Sequence, residues 1–239
     1  MLFRNFIWWI ALLTSLTSCQ PNTSEHLIID APPIEDSRYW QTQIDFLSKL
    51  IRQKPNETIY YYLRAKCFMP LSRWKEALAD MRFAVEQAPQ QPDYWLLYAQ
   101  LAKKAGEKDE IWLEALLKAE KLGCHLPALW QMLGEYYFQH NNLALAEEYL
   151  QKTTLLISDQ SNIYFYLGKI YQQRGDTTKA FQYYQEALKL DKHVLPYYIS
   201  LMQLHSQFGQ YREVITLAEE ALRHNLKDAS LCYLLGYAL

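Results

Sequence analysis

Glycine is scarce in this chain, with seven residues in 239. None of them forms a Gly-x-Gly-x-x-Gly or Gly-x-x-x-x-Gly-Lys run, so no loop that cradles a phosphate or a dinucleotide is present. Cysteine is scarce as well. Cys19, Cys67, Cys124 and Cys232 have spacings that match no zinc site and frame no disulfide scaffold. The six histidines (His26, His125, His140, His193, His205 and His224) include no pair at i, i+3 or i, i+4. No helical face therefore offers two imidazoles to a metal. No serine or cysteine lies in a nucleophile motif. Charge of one sign is missing too: 24 Lys and Arg stand against 26 Asp and Glu, a net charge of −2. That excludes the basic footprint of a nucleic-acid binder. No apolar run reaches the roughly 20 residues needed to cross a bilayer. These absences predict no catalytic residues, no cofactor, no metal and no small-molecule substrate.

What is present is periodicity. Gly134, Gly168 and Gly236 share one phase of a 34-residue interval, and Gly106, Gly175 and Gly209 share another, seven positions later. With Thr58, Pro92, Pro127, Ser161, Leu195 and Ala229 as first residues, six units align. The fourth position reads Tyr61, Trp95, Trp130, Tyr164, Tyr198 and Cys232; the eighth reads Ala65, Ala99, Gly134, Gly168, Met202 and Gly236. Ala77, Ala146 and Ala180 share the twentieth position, and Ala84, Ala187 and Ala221 the twenty-seventh. One extra residue between Gly106 and Ile111 shifts Trp112 and Ala119 into those places. Large residues at positions 4, 7 and 11 lie on one helical face. Small residues at 8, 20 and 27 let two antiparallel helices approach closely. Gly106, Gly175 and Gly209, with Asn141 in the third unit, are placed to end the first helix of each pair. A period of this length predicts an all-α, right-handed α-solenoid of helix–turn–helix units.

Trp130-Gln-Met-Leu133-Gly134-Glu-Tyr-Tyr137 with Ala146, and Tyr164-Phe-Tyr-Leu167-Gly168-Lys-Ile-Tyr171 with Ala180, Tyr184 and Ala187, resemble the tetratricopeptide repeat. The resemblance covers 58–239. Arg64 at a normally aliphatic place, Met202 at a normally small one, and Pro70, which should shorten its helix, depart from the pattern. Residues 38–57 read as a lone second helix capping the N-terminal end. Ala229–Leu239 supplies only a first helix and carries no charge, so either another helix follows or a partner covers this end. Cys67 and Cys232 read as small buried hydrophobes. His205 reads as a packed aromatic, and His125 and His193 as residues of inter-repeat loops. Adjacent carboxylates such as Glu147 and Glu148 read as solvated surface, and Gly123, off both phases, as tolerant of alanine unless its loop needs a positive φ.

The first 18 residues have the proportions of a signal peptide: one basic residue, Arg4, then an apolar stretch from Phe6 to Leu16. Leu16-Thr17-Ser18-Cys19 resembles a bacterial lipobox, which implies lipidation of Cys19, and Gln20 after it implies outer-membrane sorting in a Gram-negative cell. An uncleaved anchor or a buried helix is the alternative. Residues 19–37, with Pro21, Pro32 and Pro33, read as a flexible tether. Such a tether reaches about 20–25 Å.

In the family this pattern resembles, positions 2, 5, 9 and 12 of each first helix line a groove that holds a protein or peptide. Position 5 is here Tyr62, Leu96, Gln131, Phe165 and Ile199; position 9 is Lys66, Gln100, Glu135, Lys169 and Gln203; position 12 includes Lys103, Phe138 and Gln172. An apolar row beside an amide-and-charge row suits an extended segment or an amphipathic helix. The asparagine–lysine–arginine set that clamps chaperone-tail carboxylates is absent. The expected function is a lipid-anchored adaptor at the bacterial envelope. The alternatives are the regulatory arm of a longer enzyme or sensor, and a cytosolic co-chaperone.

Overall fold

The computed structural model describes Ser37–Leu239. The expected signal peptide, Cys19 and all but the last residue of the expected tether lie outside the described residues. Every regular element among the described residues is helical, and none of these helices is long and apolar enough to cross a membrane. The chain divides between Cys124 and His125 into two compact units.

The first unit holds α1 (Ser37–Gln53), α2 (Thr58–Phe68), α3 (Trp74–Gln87), α4 (Pro92–Ala105) and α5 (Asp109–Lys121). Trp40, Ile44, Leu47 and Ile51 of α1 recur at helical spacing and are buried, and α1 packs on α2. As Pro70 implies, α2 stops at Phe68 and a 3₁₀ turn spans Met69–Leu71. Arg64 occupies its aliphatic position by finding a partner. Its guanidinium forks onto Asp80 at 2.6 and 2.7 Å and also donates to Ser48 Oγ at 2.9 Å.

The second unit holds α6 (Pro127–Gln139), α7 (Leu143–Leu156), α8 (Ser161–Gln173), α9 (Thr177–Leu190), α10 (Leu195–Gln207), α11 (Tyr211–Arg223) and α12 (Ala229–Ala238). Close approach within the pairs is visible at the glycines. A Cβ on Gly134 would lie 2.7 Å from Leu150 Cγ, and one on Gly168 would lie 2.5 Å from Tyr184 Cδ1. In the fifth repeat the volumes are exchanged. Met202 fills the small position of α10, and Ala218 takes the place in α11 that Leu150 and Tyr184 hold in theirs; both are buried.

Helix ends follow one rule in both units. Gly106, Gly175 and Gly209 have φ of 79°, 79° and 67°, and Asn141 has 57°. After each, the next N–H closes back on a carbonyl five residues earlier: Glu107 on Ala102, Asn142 on Tyr137, Asp176 on Tyr171, Gln210 on His205, at 2.8–3.0 Å. Ser72 does the same after the shortened α2, with Arg73 N–H on Phe68 at 3.1 Å. Asn142 and Asp176 then cap the following helices by accepting from the N–H of Leu145 and Lys179.

One conditional expectation is decided and two are corrected. Gly123 ends α5 with φ 89°, and Cys124 N–H closes on Ala119, so alanine there would be forced into the left-handed region. Cys232 is exposed, not buried as expected; Cys67 is buried, and burial pushes its thiol up to about 11. Glu147 is not free surface. It accepts hydrogen bonds from Tyr171 Oη and Arg174, and Arg174 also donates to the Leu143 carbonyl at 3.0 Å.

Candidate partner-binding face

Two recurring hydrogen bonds orient the first helices. The position-4 aromatic donates to the carbonyl six residues back, in the loop between repeats: Tyr61 to Pro55 at 3.0 Å, Trp95 to Pro89 at 2.9 Å, Tyr164 to Ser158 at 3.2 Å, Tyr198 to Lys192 at 3.3 Å. Each bond satisfies a loop carbonyl that no helix can reach. The second bond joins the first residue of one repeat to the third of the next. Thr58 Oγ1 lies 3.5 Å from Tyr94 Oη, and Ser161 Oγ lies 3.0 Å from Tyr197 Oη.

That second bond sets a plate of rings. Tyr62 stacks on Tyr94 with centroids 5.0 Å apart, and Phe165 lies 4.9 Å from Tyr197 and 5.6 Å from Tyr184. In each case the position-9 lysine reaches over the position-5 ring: Lys66 Nζ is 5.4 Å from the Tyr62 centroid, and Lys169 Nζ is 4.7 Å from that of Phe165. Lys169 also lies 6.0 Å from Phe138, whose ring meets Tyr166 edge-on at 5.4 Å. Burial, with the nearby Glu135 charge, raises the Tyr166 hydroxyl pKa, so it stays a neutral donor at physiological pH.

The remaining expected face residues are distributed unevenly. Gln131 donates to Glu135 at 3.0 Å one turn on, and both are half-buried. Gln100 and Ile199 are half-buried, and Gln203 is exposed. Leu96 is a correction: at 5% exposure it belongs to the core, since a short aliphatic side chain has no polar end to hold in water. Of the position-12 residues, Phe138 joins the ring cluster, Gln172 accepts from Tyr184 Oη at 2.6 Å, and Lys103 lies over Trp112. The plate partners Tyr94 and Tyr197 were missed. The signal was available as a hydroxyl and a tyrosine 36 residues apart, occurring twice.

Elsewhere, His205 is half-buried, edge-on to Phe181 at 4.7 Å, with Nδ1 2.7 Å from Gln210 Oε1. His193 and His224, far apart in sequence, meet with ring centroids 5.0 Å apart. Among the described residues no group of three or more His, Cys, Asp or Glu is placed to hold a metal ion. A cleft of about 580 Å³ opens between α9, α10 and α11, over Leu188, Leu201 and Leu217.

The tetratricopeptide repeat family model matches residues 161–194. No curated protein matches the chain in sequence. Among solved structures, the chain is similar to YrrB, described as a tetratricopeptide repeat protein with an unusual peptide-binding site: 16% identity, 78% of this chain and 96% of that one, TM-score 0.65. It is also similar to PilW, described as a widely conserved type IV pilus biogenesis factor: 14% identity, 82% and 90%, TM-score 0.66. A third is a chain of the APC/C hetero-tetramer Cut9–Hcn1: 19% identity, TM-score 0.63, with 85% of this chain spanning 40% of that one. At these identities the likeness establishes the fold. One repeat, residues 161–194, matches the family model, and the described chain has the all-α fold of stacked tetratricopeptide repeats.

Proposed function

We propose that this protein is a lipid-anchored adaptor of the bacterial cell envelope, which holds a protein partner on the faces of its first helices. Tetratricopeptide folds serve as protein–protein interaction scaffolds, and repeat stacks of this kind present their extended surface to other chains. The observation that carries the reading here is the aromatic plate under a lysine, built at Tyr62–Tyr94 and again at Phe165–Tyr197. Tyr62 and Phe165 are half-buried rings under a lysine, each backed by a buried tyrosine, and an aromatic anchor with a cation beside it is the composition of an interface centre. Of the proteins this fold resembles, one is described by a peptide-binding site and another by pilus biogenesis, and both suit an adaptor.

Anchoring rests on Leu16-Thr17-Ser18-Cys19 behind the apolar stretch, and Gln20 favours the outer membrane, facing the periplasm. Cell fractionation of wild type and Cys19→Ala tests it. The wild type should sediment with membranes and the variant should be released; equal partitioning of the two refutes the anchor. The partner face is tested in the same cells with Tyr62→Glu and Phe165→Glu. These should lose co-purifying partners while keeping the wild-type helical circular dichroism.

A second reading, that the repeats are the regulatory arm of a larger enzyme or sensor, draws on α12. Its Tyr233 and Tyr237 are 72% and 61% exposed on a helix without a charge. The mass of the native protein, measured intact, separates the two readings.

A further inference from the structure

Lys169 is the unusual member of the face. Its ammonium lies among the rings of Phe165 and Phe138, and among the described residues it has no ion-pair partner. The same ring-and-lysine arrangement recurs at Lys66 on Tyr62, three repeats earlier. The second, third and fifth repeats place Leu96 and Gln100, Gln131 and Glu135, and Ile199 and Gln203 at the corresponding positions. These repeats fold without a ring and a lysine, so packing does not demand the pair.

We propose that the Phe165 plate is a subsite for one acidic side chain of an extended partner segment, with the carboxylate on Lys169 and an apolar neighbouring residue flat on the rings. The inference rests on the reading of the first-helix face as the partner surface. Charge decides the sign. An ammonium with rings on one side is open to a carboxylate on the other, and the rings, covered by the ligand's apolar residue, keep water from the pair. A lone ammonium fits one side-chain carboxylate. A phosphate or a chain terminus calls for several converging donors, and no second cation joins Lys169 over these rings. On the neighbouring first helix of the second unit, Glu135 would repel a second acid. First helices pack about 8–10 Å apart, which an extended chain covers in about three residues. The favoured segment therefore carries its acid at Lys169 and a neutral or basic residue about three positions away.

The test is selection of random dodecapeptides displayed on phage against the full-length protein, followed by affinity measurement with amidated synthetic copies. The expected result is enrichment of Asp or Glu beside an apolar residue. Lys169→Gln should weaken such peptides about tenfold or more, most strongly at low salt, with the melting temperature unchanged. Peptides that bind through Phe165 with no acidic preference, and equally to Lys169→Gln, overturn the acid subsite and leave the partner face standing. Peptides that need a free C-terminal carboxylate overturn the side-chain assignment. Selected peptides indifferent to Phe165→Glu and Tyr62→Glu overturn the partner face itself, and the subsite with it.

Discussion

A methyl group added at Gly168 would lie 2.5 Å from the Tyr184 ring, which is fully buried and has no room to retreat. Gly168→Ala should therefore destabilise by about 1–3 kcal/mol, the usual range for overpacking. Urea midpoints of wild type and Gly168→Ala check this; equal midpoints would mean that the eighth position is not where the helices meet. The eighth-position glycines were legible because their phase recurs. Arg64 was legible only as a departure. Its explanation, Asp80 sixteen residues on and only 6% exposed, depends on which acid the second helix turns inward. Removing Asp80 alone should cost about 1–3 kcal/mol, since it strands a half-buried guanidinium. Arg64→Leu with Asp80→Leu should recover most of that loss in the same urea assay, and a double variant as unstable as Asp80→Ala would refute the pairing.

Between neighbouring helix pairs the same three positions make a clasp from different chemistry. Tyr171 and Arg174 grip Glu147, whereas His205 and Phe208 meet Phe181 at 4.7 and 6.2 Å. Burial alone would raise the Glu147 carboxyl, but the bonds from Tyr171 and Arg174, with the charges of Arg174 and Lys179, outweigh it and hold its pKa below the ordinary value. A carboxyl whose pKa is depressed on folding adds stability above its unfolded pKa of about 4.3 and loses that contribution as pH falls through the folded value. Wild type should thus lose more stability than Glu147→Gln between about pH 5 and pH 3. Parallel curves for the two proteins across that range would contradict the clasp. Helix ends were readable, since glycine or asparagine at a fixed phase has one backbone use. The clasp was not, because a tyrosine–arginine–glutamate set and an all-ring set share a position but no residue type. Gly123 stayed conditional for a related reason: it ends a second helix, a place that Asn225 fills in the fifth repeat with φ 59°.

For the whole molecule, repetition made the fold legible and left the partner open. A period of 34 residues fixes how each helix pair buries its apolar faces, while the residues that remain half-exposed are free to vary with the ligand. Position 5 shows the limit of reading a face from spacing alone: Phe165 and Tyr62 form plates, and Leu96 sinks into the core. The account makes one central claim, that the first-helix faces are where the partner sits. A photo-crosslinking phenylalanine analogue placed at Phe165, and separately at Leu155, tests it in living cells. Leu155 is 84% exposed on a second helix of the same unit and serves as the control. The account predicts a discrete crosslinked protein species from position 165 and none from position 155. A species from position 155 with nothing from position 165 would contradict it.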